Sequence, residues 1–185
     1  MTDENFTSED FREGLKDKDF DNCVFTSCSF VTADLSNLNF FECIFISCDF
    51  SNAKFSNTSL KEVMFKNSKL LGIDFSVLNP FLLSFSFEGC ILNYSSFFKL
   101  KIKKTNFKKC SLLEVDFAEA KLEESVFSEC DLSGAIFEYT NLEKADFRES
   151  VNYILDPEKN KIKAAHFSKD GIAGLLIKYN IKIDQ

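Results

Sequence analysis

The chain is 185 residues long, 45 % hydrophobic and carries a net charge of −7, enough apolar content for one domain with a substantial core. Six Gly and two Pro argue against a disordered chain, and the acidic balance argues against generic binding of nucleic acid. The start, MTDENFTSED, is acidic rather than signal-like and no apolar run is long enough to cross a bilayer, so no membrane partner is expected.

Residues 1–18 hold Phe6 and Phe11 five apart and then lose the spacing, so they are expected to form an entry segment covering the first turn of whatever follows. From residue 19 to 150 one pattern governs. An apolar centre returns every five residues at Phe20, Phe25, Phe30, Leu35, Phe40, Phe45, Phe50, Phe55, Leu60, Phe65, Leu70 and Phe75. The spacing slips by two residues across 76–81, around Asn79 and Pro80, and is expected to resume at Leu82 and run through Phe87, Leu92, Phe97 and onward to Phe147. A longer period lies over the short one, since residues 21–40 and 41–60 are nearly the same twenty residues written twice.

Neither regular element fits a period of five. Five residues of α-helix turn about 500°, which scatters the centres around the whole circumference. On a strand every second centre would face solvent. A chain that turns a corner once per repeat, with four corners per coil of twenty, keeps every centre on one axis, and fixed-period self-similarity of this kind marks a solenoid.

All seven cysteines sit two residues before a centre, at Cys23, Cys28, Cys43, Cys48, Cys90, Cys110 and Cys130. That lattice fits small buried wall residues better than scattered disulfides or metal ligands, and free thiols are expected. An odd number of cysteines also fits an intracellular, cytoplasmic protein better than a paired secreted framework.

The triplets Ala33-Asp34-Leu35, Cys48-Asp49-Phe50, Cys130-Asp131-Leu132 and Ala145-Asp146-Phe147 resemble the A(D/N)LXX pattern of pentapeptide-repeat proteins over roughly residues 19–150. The resemblance implies an all-β fold, a right-handed quadrilateral parallel β-helix with the centre and the small residue inside. The chain departs from the pattern at Leu38, Val63, Ile73, Phe85 and Leu100, where larger residues fill the small position and local widening is expected.

Residues 151–185 abandon the clean pattern and are expected to form a C-terminal cap. Asp156-Pro157 starts a turn, and Ser168 can cap a short helix over about 168–178 with Ile172, Leu175, Leu176 and Tyr179 on its apolar face. The segment from Leu155 through Pro157, Asn160, Ile162 and Ala164 to Phe167 is similar to the C-terminal segment of the quinolone-resistance pentapeptide-repeat proteins. That resemblance implies a homodimer joined end to end, with Phe167, Ile172, Leu175, Leu176 and Tyr179 in the interface.

No catalytic constellation is present. His166 is the single histidine, there is no phosphate-binding glycine motif, and no metal site or cofactor is expected. What varies outside is charge. Residues 1–60 carry −7, residues 61–110 carry +6 with Lys99, Lys101, Lys103, Lys104, Lys108 and Lys109 clustered, residues 111–150 carry −8, and residues 151–185 carry +2. Val24, Ile44 and Met64 stand twenty apart, with Val126 in the same column once the slip is removed, as an interaction stripe or as filler.

The subfamily resemblance implies a non-enzymatic protein that mimics DNA and binds DNA gyrase or topoisomerase IV, protecting it from quinolones or toxins. Glu114, Asp116, Glu119, Glu123, Glu124, Glu129, Asp131 and Glu138 would then be the contact set. A scaffold for another protein partner, using the stripe or the lysine cluster, is the alternative reading.

Overall fold

The computed structural model describes residues 1–182. Ten strands of three or four residues carry the register: β1 (Asn5–Thr7), β2 (Asp19–Asp21), β3 (Val24–Thr26), β4 (Asn39–Phe41), β5 (Ile44–Ile46), β6 (Ser59–Lys61), β7 (Val63–Lys66), β8 (Phe85–Glu88), β9 (Asn106–Lys108) and β10 (Val126–Ser128). β1, β3, β5, β7, β8, β9 and β10 form one parallel sheet in that order, and β2, β4 and β6 a second. Phe25 pairs with Phe45 and Phe45 with Phe65, each one coil of twenty residues apart, whereas Phe65 pairs with Phe87 across the slip. Isolated parallel bridges such as Ser29 to Asp49 and Asp34 to Lys54 supply the other two sides. The molecule is the right-handed, four-sided parallel β-helix that the family resemblance implies.

The corners are made two residues after nearly every centre, where the backbone turns left-handed. Asn22, Asn37 and Asn57 adopt φ of 50°, 61° and 56° there, and Gly72 adopts 67°. Asn and Gly enter that region at least cost. Asp one residue before a centre braces the same corner, as where the Asp34, Asp49 and Asp131 carboxylates accept the backbone N–H of Ser36, Ser51 and Ser133.

Inside, the centres form ladders. On the side bearing the seven-stranded sheet, Phe6, Phe25, Phe45, Phe65, Phe87, Phe107, Phe127, Phe147 and Phe167 stack in sequence, with neighbouring ring centroids 4.6–5.4 Å apart. Phe75, Phe97, Phe117 and Phe137 make a second stack and meet the first edge to face, as Phe107 meets Phe117 at 82°. Stacked rings along each ladder and edge-to-face contact between ladders are both favoured aromatic geometries.

Residues two before the centres fill the remaining gaps, and their polar members bond the backbone of the coil before. Thr58 Oγ1 donates to the Leu35 carbonyl at 2.7 Å and Ser95 Oγ to that of Leu70 at 2.8 Å. The thiols of Cys48, Cys90 and Cys130 donate in the same way to Phe25, Phe65 and Phe107 at 3.3 Å. All seven cysteines are free and buried. The larger residues at the small position, Leu38, Val63, Ile73, Phe85 and Leu100, are buried as well.

The structure corrects two readings. Of the centres expected from Phe20 to Phe147, all are buried except Leu82, which is 65 % exposed. The chain bulges outward at 79–82, where the Asn79 side chain accepts the Phe81 N–H and Leu82 takes φ 53°. It re-enters at Leu83, which packs on the core, and Ser84 N–H rejoins the Leu60 carbonyl. The lattice also does not stop at residue 150. Lys161 and His166 bridge to Asn141 and Asp146, Asn160 accepts the Thr140 N–H, and Phe167 ends the aromatic stack. Asn160, Ile162 and Phe167 stand one coil after Thr140, Leu142 and Phe147, a spacing hidden because Asn160 is polar and the repeats between are irregular.

At the C-terminal end a 3-10 turn (Asp170–Ile172), α1 (Ala173–Leu176) and a second 3-10 turn (Ile177–Tyr179) make one short helical run. Ser168 Oγ accepts the Gly171 N–H, and the Gly174 carbonyl accepts the Leu155 N–H at 3.1 Å, the bond that a further coil would otherwise make. This contact requires glycine, since a Cβ on Gly174 would stand 2.1 Å from the Tyr153 carbonyl oxygen.

Candidate interaction surface

The lattice decides which charges meet. A residue and its counterpart one coil later lie about 4.8 Å apart along the axis, so the basic block and the acidic block that follows face each other rung by rung. Lys99 pairs with Glu119 at 3.5 Å, Lys103 with Glu123 at 2.9 Å, Lys104 with Glu124 at 3.7 Å and Lys109 with Glu129 at 3.8 Å. Lys108 reaches back to Glu88 at 2.8 Å, and its ammonium holds the Glu88 carboxyl below the usual range. Lys159 closes on Glu138 at 3.0 Å.

Five of the eight acids in the expected contact set therefore lie in ion pairs. Two more brace corners: Asp116 accepts the Ala118 N–H, and Asp131 accepts Asn152 Nδ2 at 2.9 Å and both donors of Ser133. The donors from Asn152 and Ser133 hold the Asp131 carboxyl below the ordinary carboxylate value. Of the eight, Glu114 alone has neither role among the described residues. The charge blocks and the twenty-residue period are both visible in the sequence, and superposing them reveals the pairs.

The other acidic block behaves differently. Among the described residues, two of the eleven acids in residues 1–60, Asp10 and Asp49, are in ion pairs, with Arg12 and Lys69. In residues 111–150 six of eleven are. The uncompensated negative surface therefore lies on the N-terminal coils. The apolar stripe is shorter than expected: Val24, Ile44 and Met64 are half-buried in one register, and Ser86 and Asn106 separate them from Val126.

Of the residues expected at a dimer interface, Phe167 and Leu175 pack on the core of their own chain. Ile172 and Tyr179 are exposed, and Leu176 is half-buried. His166 is exposed beside Asp146. No described helix is long and apolar enough to cross a membrane, and no group of three or more His, Cys, Asp or Glu among the described residues could hold a metal ion.

A four-sided β-solenoid with an aromatic core and charged outer rungs defines a class of repeat protein rather than an activity. The pentapeptide repeat region matches residues 18–97 and 100–154, and the chain belongs to that family. Among solved structures it is similar to a trypsin-treated form of QnrB1, a plasmid-mediated fluoroquinolone resistance protein, at 23 % identity and a TM-score of 0.53, covering 99 % of both chains. Full-length QnrB1 matches at 21 % identity and a TM-score of 0.50, covering 98 % of this chain and 99 % of that one. HetL, a pentapeptide-repeat protein involved in heterocyst differentiation regulation from the cyanobacterium Nostoc sp. strain PCC 7120, matches at 18 % identity and a TM-score of 0.47, covering 91 % and 84 %. No curated protein sequence matches the chain.

Proposed function

We propose that this is a non-catalytic, cytoplasmic interaction protein, a rod whose outward rungs are read by a protein partner. The observation that carries the proposal is the unequal pairing of charge, with six of the eleven acids of residues 111–150 in ion pairs against two of the eleven in residues 1–60 among the described residues. Surface carboxylates outside ion pairs keep their charge uncompensated and are available to steer a cationic partner.

The finer reading makes that partner DNA gyrase or topoisomerase IV, bound in place of DNA, with protection from quinolones or toxins as the outcome. The described function of QnrB1, fluoroquinolone resistance, points this way. Under this reading the contacting acids are those of the N-terminal coils, with Glu114 as the free member of the set at 114–138. A scaffold for a different protein partner remains the alternative, and the neutralised acidic block favours it over mimicry along the whole rod. A gyrase supercoiling assay with and without ciprofloxacin separates the two. Inhibition or protection at micromolar protein, weakened by Asp21→Lys with Glu42→Lys, supports the topoisomerase reading, and no effect at that concentration refutes it.

A further inference from the structure

The two-residue slip builds a feature found on one side of the rod. On the side carrying β2, β4 and β6 the ladder is interrupted after β6, because residues 79–82 loop outward before the chain rejoins at Ser84, and it resumes only as the bridges from Lys101 to Lys121 and Asn141. The bulge projects Phe81, 66 % exposed, and Leu82, 65 % exposed, beside Phe41 at 41 %. Phe41 has no structural need to be aromatic, since it stands on an outward rung between Asp21 and Lys61. Between bulge and sheet lies a groove of ~460 Å³ lined by Asp19, Asn39, Phe40, Phe41, Ser59, Lys61 and Leu82. Three large apolar side chains left on one small surface mark a contact site rather than ordinary scatter.

The charges around it state what fits. Asp19 lines the groove, Asp21 adjoins Phe41 on the neighbouring rung, and Glu42 and Glu62 follow Phe41 and Lys61 at the corner. None of these four carboxylates is in an ion pair among the described residues, unlike the ladder acids farther along the rod. The one ammonium lining the groove, that of Lys61, sits 5.2 Å from the centre of the Phe81 ring. It is thus engaged by the bulge, where a cation over an aromatic face is held in place.

We propose that Phe41, Phe81 and Leu82 form a docking site for a protein segment that seats an apolar side chain in the groove and places Lys or Arg against the four carboxylates. An anionic lipid surface or nucleic acid would meet repulsion here. A second copy offering the same acidic rim would also be opposed, because a two-fold contact sets like charges against like. The site stands whether or not the partner is a topoisomerase, and its test uses neither enzyme nor drug.

The probe is a synthetic nonapeptide of alternating lysine and leucine, titrated into the full chain by calorimetry, with a glutamate-for-lysine peptide as counterpart. The wild type is expected to bind the lysine peptide saturably and not the glutamate peptide. Phe81→Ser with Leu82→Ser should weaken that binding by about tenfold or more, as loss of apolar anchors does. Both side chains are about two-thirds exposed, so the variant should keep the wild-type melting curve. Asp21→Lys with Glu42→Lys keeps the apolar site and should shift preference toward the glutamate peptide. Absent saturation, equal binding by the serine variant, or unchanged preference in the charge-reversed variant overturns the proposal. Self-association of the wild type that the serine variant abolishes would overturn it in favour of a second copy.

Discussion

At the scale of single residues the fold rests on side chains that fit two slots, a large centre and a small wall residue. Phe127 shows the first: fully buried, it stacks on Phe107 at 4.9 Å and Phe147 at 4.7 Å and meets Phe117 and Phe137 edge to face. Phe127→Ala should cost about 3–5 kcal/mol, because neighbouring coils locked in register cannot collapse into the void, and urea unfolding measures it. The cysteines show the second. Burial pushes the Cys43 thiol up to about 11 and those of Cys48 and Cys90 to about 12. All seven thiols are buried, so the native chain should leave them unreactive toward a disulfide reagent at pH 8, all seven reacting once it is unfolded. Linkage gives the sign of the pH effect. The folded state holds these protons more tightly than the unfolded state, so their contribution is intact below the unfolded value of 9.0 and is lost as pH rises from there toward 12. The urea midpoint should fall over that range, and fall less in Cys48→Ala and Cys90→Ala. An equal fall in the variants would show that other groups, the ladder lysines among them, account for it.

At the scale of elements, register turns composition into contacts. Glu123 is the least exposed acid of the ladder, its side chain 14 % accessible, with Oε1 accepting from Asn141 Nδ2 and 2.9 Å from Lys103 Nζ. Lys103→Glu should destabilise the rod, and adding Glu123→Lys should restore part of the loss. A coupling of about 1 kcal/mol in the double-mutant cycle is expected for such a partly buried pair, and a coupling of zero would mean that the ladder only decorates the rod. The C-terminal helical run depends on close approach instead. Gly174→Ala forces a Cβ against the Tyr153 carbonyl, so the run should lift from the end coil, with a cost of about 1–3 kcal/mol and faster amide exchange confined to residues 170–180. The sequence disclosed the coil because every centre repeats, and it disclosed Ser168 as a helix-capping residue. Leu82 misled because any leucine near the resumed spacing looks like a centre, and only tertiary closure selects Leu83. The final coil went unread because Asn160 fills a wall position with an amide that bonds the Thr140 N–H and the Phe137 carbonyl. The corner signal lay in view: the Asn and Gly residues two after the centres mark where the backbone turns left-handed.

At the scale of the whole molecule the rod has unlike ends, and the end-to-end dimer that the family resemblance implies is proposed for the C-terminal one. Its outer coil cannot pair with a further coil along every side, because the helical run occupies one and Phe167 and Ile162 remain half-buried at the edge. Ile172 at 45 %, Ile177 at 53 % and Tyr179 at 51 % exposure add an apolar surface that the chain itself does not cover. Pairing two such ends buries that surface and sets the N-terminal coils, with their unpaired acids, at the far tips of a doubled rod. A partner reading negative charge would then meet two separated sites rather than one continuous strip, which favours bivalent engagement. The test must avoid residues that also hold the fold. Leu175 packs on the core, so charging it would confuse loss of the dimer with loss of the cap. Ile172→Asp leaves the core untouched. Light scattering of the wild type should give twice the 21.2 kDa of one chain, and Ile172→Asp, alone or with Ile177→Asp, should give a single chain with an unchanged circular dichroism spectrum. A wild type that stays at one chain's mass up to high micromolar concentration refutes end-to-end pairing, and with it any bivalent reading of the acidic tips.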